Sequence, residues 1–151
     1  MGIFLDSSFY YAILRRDDVN HERANEILDM LANNQYGKVY TSEYILDESM
    51  TLISVRSHGQ RDLIERMGKL FLGNEKIAHM LPIESDWLEE IYMLQMNLTA
   101  EHHEYSFTDC SSIVCCKKHK IPRIVSFDGH FSGQLEQIHE LATSIRACIT
   151  D

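Results

Sequence analysis

Four acidic residues spread along the chain have the local surroundings that a metal-holding pocket requires. They are Asp6 in IFLDSS, Glu48 in YILDESMTL, Asp109 in YSFTDCSS and Asp128 in IVSFDGHF. Three of the four come directly after a short apolar run, where a buried strand would end. Because α/β proteins keep their chemistry at the edge formed by the carboxyl ends of the strands, we expect these acids to open onto one such edge. Carboxylate oxygens are hard donors, which suit Mg²⁺ or Mn²⁺.

Helical periodicity distinguishes Glu48 from its neighbour Asp47. A helix is predicted from a Ser42 cap to about residue 57. The residues that share the face of Glu48 are apolar: Tyr44, Ile45, Leu52 and Val55. Those that share the face of Asp47 are polar: Glu43, Thr51 and Ser54. An ionised carboxylate on a buried face is costly unless a cation meets it, so Glu48 is predicted to meet either a metal ion or an arginine from a neighbouring element.

Each aspartate also has a simpler structural explanation. Asp6 and Asp109 precede predicted helices, where an aspartate caps free N–H groups and suits the positive end of the helix dipole. Asp128 stands in the turn sequence Phe-Asp-Gly-His. Taken singly, capping is favoured over catalysis for Asp6 and for Asp109, but a shared metal site explains four placements with one cause. It also explains the accompanying hydroxyls, which can hold carboxylates or metal-bound waters in place: Ser7, Ser8, Thr108 and Ser126.

The composition is that of one compact domain. The chain has 151 residues, of which 44% are hydrophobic and 25% charged, with 7 Gly and 2 Pro. A chain of this length buries roughly 70% of the surface that its unfolded form exposes, so it needs neither disulfides nor a structural metal to fold. The apolar N-terminal segment is too short to span a bilayer, which predicts a protein without a membrane partner. The cysteines form no C-x-x-C pair and are predicted to be reduced thiols of a cytoplasmic protein: Cys110, Cys115, Cys116 and Cys148.

The formal net charge of −9 argues against a nucleic-acid partner unless cations are present. Divalent ions held by the four acids would reverse this, because they would become the largest local charges and attract phosphate. The densest basic run, KKHKIPR at residues 117–123, is not expected to share the same site. Lys118 is predicted about 13 Å from Asp109 along one helix, and basic residues at a helix C-terminus are favoured by the dipole alone. The remaining candidates for contacts along a groove are Arg15, Arg16 and Lys117.

Short apolar runs alternate with longer amphipathic stretches, which is typical of a parallel sheet with crossover helices. Strands are predicted at residues 3–5, 38–41, 76–81 and 123–127. Helices are predicted at residues 8–14, 20–31, 42–57, 61–72, 86–96 and 108–118, with a polar connection at 97–105 and a short helix after Phe131. The predicted fold class is therefore α/β, with a central parallel β-sheet flanked by helices.

The acidic motifs resemble those of the PIN-domain family, the small metal-dependent nucleases that include the VapC-type toxins of prokaryotic toxin–antitoxin pairs. The similarity covers residues 3–131 and rests on four blocks. These are a hydrophobic-hydrophobic-Asp-Ser-Ser start, a Thr-Ser-x-x-Ile-Leu-x-Glu-Ser helix opening, Ser-Phe-Thr-Asp-Cys, and Ile-Val-Ser-Phe-Asp-x-His-Phe. The resemblance implies a single PIN-like domain over residues 1–151, with three α/β/α layers.

The resemblance also implies an activity and a set of partners. The implied catalytic residues and metal ligands are Asp6, Glu48, Asp109 and Asp128, with supporting hydroxyls at Ser7, Thr108 and Ser126. The implied activity is that of a Mg²⁺- or Mn²⁺-dependent endoribonuclease, in the setting of a toxin–antitoxin pair. Two such ions ~4 Å apart can generate the nucleophile and stabilise the leaving oxygen, so no side-chain nucleophile is required. The implied partners are RNA, an antitoxin protein and a second copy of the chain in a homodimer.

A non-catalytic binding module is the alternative from another functional class. In that hypothesis the same pocket takes a metal, but the protein acts through partner contacts on an exposed apolar patch. The aromatic residues considered for this patch are Tyr10, Tyr11, Phe71 and Trp87, and their burial in the core is the competing interpretation. An aspartate-nucleophile phosphatase is excluded, because it needs a second aspartate two residues after Asp6, where Ser8 stands.

Overall fold

Five parallel strands form one sheet at the centre of the molecule. The computed structural model describes residues 2–101, 104–131 and 134–138, without the side chain of His130. The strands are β1 (Gly2–Leu5), β2 (Lys38–Ser42), β3 (His79–Leu81), β4 (Arg123–Val125) and β5 (Glu136–Ile138), in the order β3-β2-β1-β4-β5 across the sheet. All neighbouring pairs are parallel, which confirms the predicted fold class.

Helices on the two faces of this sheet complete a three-layer α/β/α arrangement. Those within the described residues are α1 (Ser7–Leu14), α2 (His21–Ala32), α3 (Glu43–Arg56), α4 (Arg61–Phe71), α5 (Leu88–Ala100) and α6 (Phe107–His119). Helix α2 buries Ala24, Ile27, Met30 and Leu31 on its inner face. No helix in these described ranges combines the length and the apolar composition that crossing a bilayer requires.

The order of the strands reverses at the central strand. From β1 the chain first builds one side of the sheet, through β2 to β3, and then crosses to the other side for β4 and β5. In the β1–β4 pair, Leu5 lies opposite Val125, and the backbone N–H of Asp6 donates to the carbonyl oxygen of Val125 at 3.1 Å. The segments that follow β1 and β4 therefore leave the sheet side by side. In parallel α/β sheets this reversal creates a crevice at the carboxyl edge.

Strand β1 and helix α6 form the centre of the core. Ile3, Phe4 and Leu5 are fully buried, and every residue of α6 from Asp109 to Cys116 is buried as well. A strand that is covered on both faces has no solvent side, which explains why β1 is uniformly apolar and does not alternate.

The aromatic side chains considered for a partner-binding patch do not form an exposed surface. Tyr10 and Phe71 are buried and stack on each other with ring centroids 3.9 Å apart. Tyr11 and Trp87 are half-buried and pack against the core. The burial interpretation is therefore correct for Tyr10 and Phe71, and the other two side chains are partly buried.

Two predicted element boundaries in the middle of the chain are wrong. Helix α5 continues to Ala100 through the predicted polar connection, because Leu98 is buried and the amide of Gln95 donates to the carbonyl oxygen of Tyr105 at 3.0 Å. Strand β3 begins at His79 and not at residue 76. The N–H of Ile77 donates to Leu70 at 3.1 Å, so the preceding backbone terminates α4 and does not join the sheet.

The region after Phe131 is also predicted wrongly where the structure describes it. Residues 136–138 form the edge strand β5, with Gln137 opposite Ile124, and not a helix. A polar strand of three residues at a sheet edge has no apolar pattern by which to recognise it. Residues 139–151, which include Cys148, lie outside the described ranges.

The three described cysteines are free and buried. Burial raises the pKa of the Cys110 and Cys115 thiols to about 11. Both groups are therefore protonated core side chains, and neither suits a role as a nucleophile.

Candidate active site

Asp6 lies in the crevice between the segments that follow β1 and β4. It is 1% exposed, and its Oδ2 accepts hydrogen bonds from the hydroxyls of Ser126 at 2.8 Å and Ser8 at 3.0 Å. The residue occupies the N-cap position of α1, but its side chain makes no capping hydrogen bond. Helix capping therefore does not explain this aspartate.

The second oxygen of this carboxylate is buried without a partner. Oδ1 of Asp6 accepts no hydrogen bond from any residue that the structure describes. Burial raises the pKa of Asp6 to about 7, the Ser126 hydrogen bond opposes the rise, and the charges of Asp109, Asp128 and Glu48 add to it. An unpartnered carboxylate oxygen among like charges costs free energy unless a cation binds to it.

Helix α3 brings Glu48 to the N-terminus of α1. Ser42 caps α3, as predicted, by accepting the N–H of Ile45 at 3.3 Å. Glu48 is half-buried and accepts the Ser7 hydroxyl at 2.7 Å, whereas Asp47 is exposed. Burial raises the pKa of Glu48, the Ser7 hydrogen bond lowers it, and neighbouring carboxylates raise it further. Periodicity thus selected the inward-facing acid of the two.

The buried face of α3 differs from the predicted one in detail. Ile45, Ser49 and Ile53 form it, whereas Val55 is 67% exposed. Glu48 lies at the margin of this face, beside Ser49, where a carboxylate reaches the crevice. Among the described residues no arginine pairs with Glu48, so the salt-bridge alternative is not observed and the Ser7 hydroxyl is the contact instead.

Asp109 is held in the first turn of α6 by a capping box. The Ser106 hydroxyl accepts the N–H of Asp109 at 3.0 Å, and Oδ2 of Asp109 accepts the N–H of Ser106 at 3.0 Å. The aspartate thus takes part in capping, but from the third helical position and not from the position before the helix. Ser106 is a site residue that the Ser-x-x-acid pattern of the sequence could have indicated.

The Thr108 hydroxyl contacts none of the four acids among the described residues. Its carbonyl oxygen instead accepts hydrogen bonds from the hydroxyls of Ser111 at 2.6 Å and Ser112 at 3.2 Å. Of the predicted supporting hydroxyls, Ser7 and Ser126 bond directly to an acid, and Ser8 does so as well.

Asp128 is exposed on the loop after β4. Its N–H donates to the Ser126 hydroxyl at 3.2 Å, so Ser126 connects Asp6 to this loop. The amide nitrogen of Gln137 donates to the carbonyl oxygens of Ser126, at 3.0 Å, and of Asp128. The unpredicted strand β5 therefore supports the backbone that presents Asp128.

Two clefts open above these residues, and both are lined by Glu48 and Asp128. The α1–α3 cleft, of ≈ 250 Å³, is lined by Ser7, Ser8, Tyr11, Asp18, Asn20, Glu48, Leu52, Arg56, Phe127 and Asp128. The second cleft, of ≈ 380 Å³, contains Asp109 with Ser106 and Tyr105. The structure therefore brings all four predicted acids to one region at the carboxyl edge of the sheet.

The donor set suits a hard divalent cation, because every acid offers carboxylate oxygens and Asp6 has one that no described residue partners. The side chains are not yet arranged around a common point. In the described ranges, no group of three or more His, Cys, Asp or Glu side chains could hold a metal ion as it stands.

The predicted groove candidates Arg15, Arg16 and Lys117 are not among the residues that line either cleft. Arg15 pairs with Asp17 at 2.7 Å. Lys118, which was not expected at the site, pairs with Glu90 at 2.8 Å. The cation that does line the α1–α3 cleft is Arg56, which no sequence motif had indicated.

The parallel sheet, with an acidic crevice where its strand order reverses, places this protein among the α/β proteins that carry their site at the carboxyl edge of the sheet. Within that class, the chain belongs to the PIN-domain family, whose model matches residues 3–133. The resemblance based on the four acidic blocks is thereby confirmed. No curated protein matches the sequence.

Solved structures of other proteins share the fold. VapC20 of Mycobacterium tuberculosis, described as a sarcin–ricin loop cleaving toxin, is 25% identical, with a TM-score of 0.72 over 86% of this chain and 92% of its own. VapBC2 of Rickettsia felis, bound to a DNA fragment from the promoter, is 13% identical, with a TM-score of 0.68 over 91% and 98% of the two chains. FitAcB of Neisseria gonorrhoeae is 17% identical, with a TM-score of 0.64 over 90% and 96%. The last two establish a common fold alone.

Proposed function

We propose that this chain is a divalent-metal-dependent endoribonuclease in which Asp6, Glu48, Asp109 and Asp128 hold Mg²⁺ or Mn²⁺. The observation that supports this most directly is that Glu48, Asp109 and Asp128 lie close enough to raise the pKa of the buried Asp6 carboxylate, whose Oδ1 has no partner among the described residues. Hydrolysis of a phosphodiester bond is a reaction that such a cluster of hard oxygen donors suits.

In this proposal the chain restrains most of the donors before the substrate binds. Ser8 and Ser126 fix the Asp6 carboxylate, Ser7 fixes Glu48, and the Ser106 capping box fixes Asp109. Asp128 is exposed on a loop whose backbone Gln137 supports.

When bound, divalent ions activate a water molecule for attack on the phosphorus and neutralise the charge on the leaving oxygen. The task of the acids is to bind and orient, and none of them has to act as a nucleophile. The protonated, buried thiols of Cys110 and Cys115 are not required for the reaction.

We further propose that the chain is the toxin of a toxin–antitoxin pair, with RNA as its substrate and an antitoxin protein as its inhibitor. VapC20, which shares 25% identity, is described as a toxin that cleaves the sarcin–ricin loop. A homodimer and a cytoplasmic location are part of the same proposal and rest on the family resemblance.

The proposal is tested with fluorescein-labelled RNAs, one a mixed-sequence single strand and one a sarcin–ricin stem-loop. We expect cleavage with Mg²⁺ or Mn²⁺ and none with EDTA. Asp6→Asn and Glu48→Gln are each expected to lower kcat/KM by roughly a hundredfold or more, because each removes a charge that binds the ions.

Asp47→Asn is the matched control, since Asp47 neighbours Glu48 but is exposed, and it should cleave RNA like the wild type. Circular dichroism checks that each variant is folded. Metal-dependent cleavage at the wild-type rate by folded Asp6→Asn would contradict the proposal. Metal-dependent RNA binding without any cleavage would favour the non-catalytic module.

A further inference from the structure

The α1–α3 cleft extends beyond the acids to a basic residue, Arg56. Helix α3 contributes Glu48, Leu52 and Arg56, which are successive positions on one helical face. Helix α1 forms the opposite wall with Ser7, Ser8 and Tyr11, and Asn20 also lines the cleft. Among the described residues that line this cleft, Arg56 carries the one positive charge.

The guanidinium of Arg56 lies over the Tyr11 ring and has no paired carboxylate among the described residues. Its Cζ lies 4.9 Å from the centroid of the Tyr11 ring, within the range of a cation–π contact. No carboxylate among the described residues pairs with it. Asp18 lines the same cleft, but its Oδ1 accepts the N–H of Asn20 at 2.8 Å. The planar donors of Arg56 therefore remain available to an anion.

The spacing along α3 decides which phosphate Arg56 can reach. Glu48 and Arg56 are eight positions apart on the helix, a separation of about 12 Å along its axis. A phosphate bound at the acids is therefore displaced along the helix from the position of Arg56. An RNA strand that places its scissile bond at the acids and follows the cleft brings a neighbouring phosphate to Arg56.

On the basis of the proposed function, we infer that Arg56 binds a phosphate that flanks the scissile bond of the RNA, and that Tyr11 is the positioning residue for its guanidinium. An arginine in the last turn of a helix is also favoured by the helix dipole. That structural role would change stability but not substrate affinity. A change in KM therefore distinguishes phosphate binding by Arg56 from a purely stabilising role in the helix.

The test compares Arg56→Gln with Arg66→Gln, which removes the same charge from an exposed position of α4 outside the cleft. Arg56→Gln is expected to raise KM for a labelled RNA oligonucleotide about tenfold, with kcat and the thermal midpoint little changed. The slope of log kcat/KM against log salt should become shallower by about 0.7 for one lost contact with a single strand. Arg66→Gln should match the wild type in each measurement.

Oligonucleotide length provides a second, independent measurement. As the RNA is shortened one nucleotide at a time from each end, the difference in KM between the wild type and Arg56→Gln should vanish at one length, on one side only. Tyr11→Leu should raise KM in the same direction by a smaller factor, and Tyr11→Phe should restore most of the loss because it retains the ring.

The outcomes separate this inference from the proposed function. Cleavage by Arg56→Gln with the KM and salt slope of Arg66→Gln would overturn the inference and leave the nuclease proposal intact. RNA binding by the wild type without cleavage, weakened in fluorescence anisotropy by Arg56→Gln alone, would overturn the nuclease proposal and support only the contact of Arg56 with a backbone phosphate. A wild-type protein that neither binds nor cleaves RNA would overturn both.

Discussion

At the scale of single residues, Asp6 is the side chain most at odds with its surroundings. It follows three fully buried apolar residues of β1. Two hydroxyls donate hydrogen bonds to one of its carboxylate oxygens, while the other oxygen has no partner among the described residues. Such an arrangement costs free energy in the absence of a ligand, and costly local arrangements of this kind concentrate at functional sites. The burial of this carboxylate should therefore affect the free energy of unfolding of the metal-free protein.

We predict that metal-free wild-type protein loses stability as the pH rises from about 4 to about 7. Because the folded-state pKa of Asp6 is raised from 3.8 to about 7, the folded protein binds this proton more tightly than the unfolded chain does. Relative to Asp6→Asn, the free energy of unfolding should therefore fall over this window by up to about 4 kcal/mol. Urea denaturation in EDTA at several pH values measures the difference.

Asp29→Asn serves as the control for this titration, because Asp29 is exposed on α2 and far along the chain from the acids. Its stability should follow that of the wild type at every pH. A constant difference in the free energy of unfolding between wild type and Asp6→Asn from pH 4 to pH 8 would show that burial does not raise the pKa of Asp6.

Sequence alone identified Glu48 over Asp47, because helical periodicity is a local property of the chain. The same approach could not identify Arg56. Its aromatic partner Tyr11 belongs to α1, and only the packing of α1 against α3 makes the pair part of one cleft.

At the scale of elements, the first turn of α6 determines how Asp109 is presented. We predict that Ser106→Ala lowers the free energy of unfolding by about 1 kcal/mol, because the capping hydrogen bond to Asp109 N–H is lost. The substitution retains the backbone N–H that donates to Oδ2 of Asp109, so it acts on the carboxylate through the loosened first turn of α6. The apparent Kd for Mg²⁺ should therefore rise by about tenfold or less. Chemical denaturation and a metal titration followed by thermal shift measure the two effects.

Thr99→Ala is a suitable comparison for that variant. The Thr99 hydroxyl is exposed on α5 and donates to the carbonyl oxygen of Gln95 at 2.8 Å within the helix. Its removal should change stability by less than about 0.5 kcal/mol and leave metal binding unaltered. Equal effects of the two variants on the Kd for Mg²⁺ would argue against a role of the capping box in the site.

At the scale of the whole molecule, the negative net charge of the protein disfavours binding of RNA, the proposed substrate. The chain has a formal net charge of −9, and three of the four acids line the clefts. Divalent ions would reverse the local sign and attract phosphate. We predict that labelled RNA binds at least about tenfold more weakly in EDTA than in Mg²⁺ at equal ionic strength.

Fluorescence anisotropy at 4 °C measures this difference, and a denaturing gel confirms that the RNA stays intact. Potassium chloride replaces the magnesium salt in the EDTA samples so that screening is matched. Equal affinity in both buffers would mean that side-chain cations, and not metal ions, attract the strand.

The sequence by itself determined the fold class and most of the helices and indicated four acids as candidates for the site, because each depends on a local signal such as an apolar run, a helical period or a short motif. It did not determine β5 or the part of the cleft at Arg56. These depend on contacts between segments that are far apart in the chain, namely the pairing of β5 with β4 and the packing of α1 against α3. The tertiary structure thus decided which hydroxyl holds which acid, and it left one oxygen of Asp6 without a partner among the described residues.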